Sequence, residues 1–391
     1  MHVGLSVMFQ NMSGEHTDYQ AIEHGLWIAD QAEARGYDSV WSPEHHFSNY
    51  TMDPNPTQFL TWLAGRTSRI RLGSMVTVMP WHDPVRAAEQ WAWLDQVSGG
   101  RAILGVGRGL GAKEFHGFRL NMGESRPRFT EYTDALARAL ETGYMEYDGE
   151  FYRQPRVPIR PFPTMSFRGR IYASAISPQS MKIMANLGIG LMIIAQKPWD
   201  TIKEELKTYN EVYSAINGAP PPKPLLVAFF AVDHSAAAAA EMAEQYILKY
   251  SMSAAQHYEF ANVGLADIPG YEYYGALAKT IENRGLETFA RFLSELQTWG
   301  TPEQVTEQLL QRQRDLDIGG LIMVPSYGGM PFELAERNLD LFTREVLPHL
   351  KAAEPHDGVL STPASLEIGK TISPAFVSAD PVEMDGAWLV G

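Results

Sequence analysis

The chain has 391 residues, 45% hydrophobic and 20% charged, and its 46 acidic against 32 basic side chains give a formal net charge of −14. That composition is ordinary for a globular protein and argues against disorder, and the acidic balance without any basic block argues against a phosphate-backbone binder, so no nucleic-acid partner is expected. Cysteine is absent, which removes disulfides, thiolate metal ligands and cysteine nucleophiles together.

No apolar run approaches the roughly 20 residues of a membrane helix. The chain runs from Met1 directly into the apolar Val3-Gly4-Leu5-Ser6-Val7-Met8-Phe9 without the zones of a signal peptide, so the expectation is a cytoplasmic protein away from membranes. After that first strand, short apolar runs alternate with segments of helical period, the pattern of βαβ units around a parallel sheet. Asp18 to Arg35 reads as a helix with Gly36 as its cap, and Ser39-Val40-Trp41 as the second strand. Thr57 to Ser68 is the next helix, and Ile70 to Val78 the third strand, stopped by Pro80. Asp83-Pro84 opens a helix in N-cap and N1 style that ends near Gly99-Gly100. Ala102 to Val106 is strand four, with a helix from about Pro127 to Leu140 and an irregular, proline-rich excursion from Tyr147 to Pro163. Strand five is Ile171 to Ala175, followed by a helix from Pro178 to Leu187, strand six at Leu191 to Ile194, and a helix from Trp199 to Ala215.

Pro224 to Val232 supplies strand seven. About 70 residues then pass before the next strong helix start, where Thr301 and Gln304 have capping-box spacing around Pro302. Strand eight is Gly320 to Val324, and the last helix runs from Phe332 to Leu347. Eight such pairs predict one (β/α)₈ TIM barrel over residues 1–350, with a doubly wound sheet as the rival. The insertion at 233–300 is too long for an ordinary loop and reads as a lid, its stretch Tyr271-Glu272-Tyr273-Tyr274-Gly275 folding over a ligand; an extra helical pair on the barrel wall is the plainer alternative. Residues 351–391 lack periodicity and read as an irregular C-terminal tail, disordered or laid as a strap.

In a parallel barrel, polar residues just beyond the strands carry the chemistry. Val40-Trp41-Ser42-Pro43-Glu44-His45-His46-Phe47 leaves strand two with proton-transfer groups at its end. Adjacent residues of an extended segment face opposite sides, so one histidine can enter the cavity while the other supports the wall, and no metal is expected between them. Trp41, Trp62, Trp81, Phe47 and Tyr50 are candidates for an apolar pocket or for core packing. Gly105-Val106-Gly107-Arg108-Gly109-Leu110-Gly111 leaves strand four. Its spacing fails the dinucleotide fingerprint, leaving either turn material or a cation on a backbone that an anion can approach closely. Ser177-Pro178-Gln179-Ser180 opens the helix after strand five, where free N–H groups and two hydroxyls either cap the helix or hold an anion. On adjacent strands, Arg108 and this helix start would form a phosphate clamp.

With these residues assembled, the sequence resembles the bacterial luciferase-like family of flavin-dependent monooxygenases over most of residues 1–350. The resemblance is carried by Glu44-His45-His46-Phe47, by Pro80 and Asp83-Pro84-Val85-Arg86 with Leu94-Asp95-Gln96, by Gly107-Arg108-Gly109-Leu110, by Glu124-Ser125-Arg126, and by Ser177 with Ser180. It implies a barrel that takes reduced FMN from a separate NAD(P)H-flavin reductase, adds oxygen at the flavin C4a and oxygenates a small apolar substrate, as a homodimer. It implies further that His45 is catalytic with Glu44 orienting it or serving the wall, that Arg108, Ser177 and Ser180 hold the phosphate, and that Met75 and Val76 are joined by a cis peptide beneath the flavin ring. Gly107 stands where luciferase proper has a reactive cysteine, which speaks against light emission. A deazaflavin- or FMN-dependent dehydrogenase on the same fold, or a non-catalytic flavin-binding partner subunit, are the alternative readings.

Overall fold

The computed structural model describes residues 1–12, 14, 16–174, 178–353 and 365–366. Its centre is a closed parallel barrel of eight strands: β1 (His2–Ser6), β2 (Ser39–Ser42), β3 (Arg71–Ser74), β4 (Ala102–Gly107), β5 (Ile171–Ser174), β6 (Gly190–Ile194), β7 (Leu225–Val232) and β8 (Gly320–Val324). The strands follow one another around the barrel in chain order. β8 lies between β7 and β1, and β6 closes on β7 with Leu225 opposite Met192 and Leu226 opposite Ile193. Around them run α1 (Asp18–Ala34), α2 (Pro56–Ala64), α3 (Pro84–Ser98), α4 (Ser125–Thr142), α5 (Pro178–Leu187), α6 (Trp199–Asn217), α7 (Pro302–Leu316) and α8 (Phe332–Glu345). The doubly wound rival is thereby excluded, since that sheet has open edges.

The two-residue period of each strand divides its side chains between two cores. Val40, Leu104, Leu191 and Leu321 face the helices, whereas Trp41, Ile103, Met192 and Ile322 fill the barrel interior. Burying one such side chain contributes about 1.5–3 kcal/mol, so the alternation fixes which face of each strand points inward. Trp41 needs unusual room. A Cβ on Gly73 would stand 2.3 Å from its ring, and one on Gly4 2.8 Å from its indole nitrogen, so glycine on both neighbouring strands makes space for the indole.

Helix starts follow their sequence signals. Asp83 accepts from the Val85 and Arg86 amides at 3.0 and 3.3 Å ahead of Pro84. Thr301 and Gln304 form the expected reciprocal capping box. Three segments differ from expectation. The third strand is broken, with Thr77–Val78 pairing separately with β4 and a cis peptide joining Met75 to Val76 between the two pieces. The excursion after α4 is an ordered antiparallel hairpin of Tyr144–Asp148 and Arg153–Pro158, whose turn amides at Glu150, Phe151 and Tyr152 all donate to the Glu131 carboxylate. The glycine run is followed by a short helix, Ala112–Phe118, that periodicity did not reveal.

The insertion after β7 is mainly helical, with α-helical segments at Ala236–Met242, Leu248–His257, Glu272–Arg284 and Leu286–Glu295 and a closing strand Thr298–Gly300. It has its own core, in which Ala255, Phe260, Leu265, Tyr271, Tyr274 and Ile281 pack with Phe115 and Met122 from the segment between β4 and α4. Most of residues 351–391, the expected tail, lies outside the described residues, as do Ala175 and Ser177. No helix among the described residues is long and apolar enough to cross a membrane.

Candidate active site

The barrel strands end in a cavity of 480 Å³ that is roofed on one side by the insertion. Glu44, His45, Met75, Val76, Arg108 and Ser180 all line it, joined by Tyr50 and Trp81. Six of the seven residues singled out for catalysis or cofactor binding therefore meet in one place; the seventh, Ser177, lies outside the described residues. Of the other aromatic candidates, Trp41 is buried within the barrel, while Phe47 and Trp62 are 52% and 37% exposed.

The tandem histidines diverge, as an extended segment requires. His46 turns into the wall, edge-on to Trp81 and Phe118 at 5.3 and 4.6 Å. Glu44 belongs to that wall. Its carboxylate accepts from the Val78 amide at 2.8 Å and meets His82 and His46 at 2.7 and 3.1 Å. Burial pushes its carboxyl up, but the His82 charge and these three hydrogen bonds outweigh that and hold it below the usual range. Glu44 therefore does not orient His45. The carboxylate that does is Glu114, on the short helix after β4, with Oε1 3.0 Å from His45 Nδ1 and also accepting the His46 amide at 2.9 Å.

The insertion supplies the rest of the His45 environment. Tyr258 places its hydroxyl 3.1 Å from Nε2, and His257 sets its own Nε2 3.2 Å from Nδ1 and 3.7 Å from Glu114 Oε2. Burial lowers the His45 pKa, only partly offset by Glu114. Glu114 is driven the other way. Burial raises it, but hydrogen bonds from His257 and His45, with the His45 charge and the His46 amide, bring it down to about 2. The donor atoms of His45, Glu114 and His257 lie within 4.8 Å of one another, close enough for a small divalent cation. Hydrogen bonding accounts for the His45–Glu114 pair without a metal, whereas His257 Nε2, 3.7 Å from Oε2, stands beyond the reach of an ordinary hydrogen bond.

Across the cavity stands a cationic corner. Arg108, from the glycine run, and Arg126, at the start of α4, both donate to the Gly270 carbonyl of the insertion, at 2.6 and 2.9 Å. Arg126 also reaches Gln179 in the first turn of α5. Tyr271 locks this corner, its ring 3.9 Å from the Arg108 guanidinium and its hydroxyl bonded to the Gly109 carbonyl and Ser125 at 2.8 Å each. A side chain at position 270 would be strained, since the backbone has φ +89° and a Cβ there would stand 2.8 Å from Arg108 Nη1.

Buried polar atoms are almost always hydrogen-bonded. Here Arg126 Nε, Glu114 Oε2, Trp81 Nε1 and Gln196 Oε1 are buried without a partner, and all four belong to residues that line this cavity. The sequence signalled Arg126 only through the Glu124-Ser125-Arg126 motif. Glu114, His257 and Tyr258 carried no local signal, because their common partner His45 is 69 to 213 residues away.

The sequence model of the luciferase-like monooxygenase family matches residues 1–317. Among curated proteins, the alkanal monooxygenase alpha chain of the Kryptophanaron alfredi symbiont is 24% identical over 85% of this chain and 94% of that protein. The oxygenase component of the flavin-dependent trigonelline monooxygenase of Acinetobacter baylyi is 28% identical over 49% of this chain and 54% of that one. Among solved structures, monooxygenase RslO1 from Streptomyces bottropensis superposes with a TM-score of 0.68 at 25% identity, covering 90% of this chain and 100% of that one. With a family match over most of its length and a barrel whose cavity gathers the motif residues at the strand ends, this chain belongs to the luciferase-like monooxygenase family.

Proposed function

We propose that the protein is the FMN-dependent oxygenase component of a two-component monooxygenase, acting as a homodimer on a small apolar organic substrate, with a separate NAD(P)H-flavin reductase supplying reduced FMN. The observation that carries this reading is the pairing of a proton-transfer group with an anion site across one cavity, His45 on one side and Arg108, Arg126 and the start of α5 on the other. The residues suit a flavin mononucleotide. The unpartnered Arg126 Nε and the positive end of α5, where Gln179 and Ser180 stand, offer donors to a phosphate. Met75, Val76, Ile194 and Phe229 give an apolar bed for a flat ring system. When bound, reduced flavin supplies the electrons that activate oxygen. His45 then serves proton transfer from its neutral form, and the aromatic insertion keeps water from the reaction. Membership in the family and the name of the Acinetobacter relative, an oxygenase component, support a separate reductase.

The test is anaerobic titration of the protein with reduced FMN and with a reduced deazaflavin, followed by mixing with oxygen in stopped flow. Reduced FMN should bind preferentially, and an oxygenated flavin should persist on the protein longer than in free solution. His45→Ala should retain FMN binding and lose about 10²–10⁴-fold in product formation, the usual weight of one general acid–base group. Preference for the deazaflavin, or oxidation no slower than that of free FMN, would rule the monooxygenase reading out.

A further inference from the structure

His45 lines the cavity, yet neither of its ring nitrogens is left to face a ligand: Nδ1 is taken by Glu114 at 3.0 Å and Nε2 by Tyr258 at 3.1 Å. The protons around it can be assigned by elimination. Glu114, brought down to about 2, is an ionised acceptor at any working pH, so Nδ1 must carry the hydrogen that points at it. Nε2 then holds a lone pair. Tyr258, whose hydroxyl is raised well above its ordinary value by burial and then by the charges of Tyr250 and Glu114, keeps its proton and donates it to that lone pair. On the other side, His257 Nε2 stands 3.2 Å from His45 Nδ1 and 3.7 Å from Glu114 Oε2, and Ser48 Oγ lies 3.4 Å from its Nδ1. Around His45 the protons are thus placed on Nδ1 and on the Tyr258 hydroxyl, with the Glu114 carboxylate as acceptor. The Tyr258 oxygen can still accept a hydrogen bond, and Tyr258 lines the cavity.

We infer that Tyr258, a residue of the insertion, is the catalytic group that meets the reacting molecule, and that Glu114 and His45 form the positioning pair that makes its oxygen basic. A proton leaving the reacting molecule forms a new O–H bond to the Tyr258 oxygen while the phenol's own proton passes to His45 Nε2. The reacting molecule is left with the electron pair, and the imidazolium is held by Glu114 through Nδ1–H. The reverse transfer returns the proton and restores the starting arrangement, with no further reagent. Tyr258 also explains why the roof of the cavity comes from the insertion, since the relay exists only when Leu248–His257 and the residue after it are seated against the end of β2. The inference rests on the proposed function only for the identity of the molecule that gives up the proton.

The experiment begins without cofactor or substrate. The full chain, labelled with ¹⁵N-histidine, is titrated by NMR, with His45 assigned through His45→Ala. The Nδ1–H tautomer is expected, with a pKa below the ordinary histidine value, against a background set by Glu114, His257, Glu44, Tyr50 and Tyr250. In Glu114→Gln the tautomer should shift toward Nε2–H. Tyr258→Phe should keep the tautomer, the melting temperature and FMN affinity, and lose about 10²–10⁴-fold in product formation in the reconstituted system. Glu114→Gln should move the acid limb of the pH profile, which a purely structural role would leave in place. An Nε2–H tautomer in the wild type, or a Tyr258→Phe protein with unimpaired turnover, would overturn the relay. If the wild type proves inactive as a monooxygenase while the tautomer and its Glu114 dependence hold, the network stands and only the proposed reaction falls.

Discussion

Asp95 and Glu114 are both buried carboxylates, and they do different work. Asp95 sits at the end of the barrel away from the cavity, where it holds the 1% exposed Arg170 at 2.7 Å and the first amide of β4 at 3.3 Å. It belongs to a motif that helped to carry the family resemblance, yet its contacts are those of a structural clamp. Glu114 has no such motif and touches the centre of the site. Because its folded pKa, about 2, lies below the ordinary 4.5, its ionised form stabilises the fold above about pH 4.5, and that contribution fades as the pH falls toward 2. Subtracting the urea midpoints of Glu114→Gln from those of the wild type should therefore give a positive difference at neutral pH that shrinks between pH 4.5 and 2. A difference that does not change with pH would mean that its charge adds nothing to stability. At this scale the sequence could mark His45 and Arg108, which sit on strand ends. It could not mark Glu114 or Tyr258, because what brings them to His45 is a contact across the chain.

Elements were legible where one local rule governs them. The Thr301–Gln304 capping box, the Asp83-Pro84 start and the Gly36 stop follow short-range hydrogen bonding, and their helices begin and end close to expectation. The break in the third strand is different in kind. The apolar run from Ile70 to Val78 looks continuous, but the backbone leaves the sheet at Met75 and rejoins β4 at Thr77 so that Met75 and Val76 reach the cavity. Gly107 makes that possible, since a Cβ on it would lie 2.2 Å from Val76 Cγ2. Gly107→Ala should push Val76 into the cavity floor, cost about 1–3 kcal/mol in thermal or urea unfolding, and weaken FMN binding at least tenfold by fluorescence titration. Unchanged affinity would show that the Val76 side chain is not part of the flavin bed. The hairpin after α4 was missed because its prolines mask the alternation, and Glu131, which ties its turn, is supplied by a neighbouring element.

At the scale of the whole molecule, eight alternations of strand and helix made the barrel visible, because each repeats the same two periods and only the closed arrangement buries both faces of every strand. The insertion was visible as a length and not as a shape; its core is completed by Phe115 and Met122 from elsewhere in the chain. One surface invites a second copy. Trp93 and Val97 on α3 are 54% and 45% exposed one turn apart, and Trp62 on α2, a helix packed against α3, is 37% exposed; exposed apolar side chains of this kind are common at subunit contacts. Sedimentation should show a dimer that Trp93→Asp converts to monomer without loss of helical content; a wild-type monomer would remove the dimer from the proposed function. The Gly270 carbonyl, finally, has a thermodynamic consequence. It draws N–H groups from the same two arginines that face the proposed phosphate site, so anion affinity and the seating of the insertion are a single linked equilibrium, and each must change the other by the same factor. On the proposed reading, a substitution deep in the insertion, far from any phosphate, would be measured as a change in cofactor affinity, and the flavin would in turn become a reporter of how firmly the roof is closed.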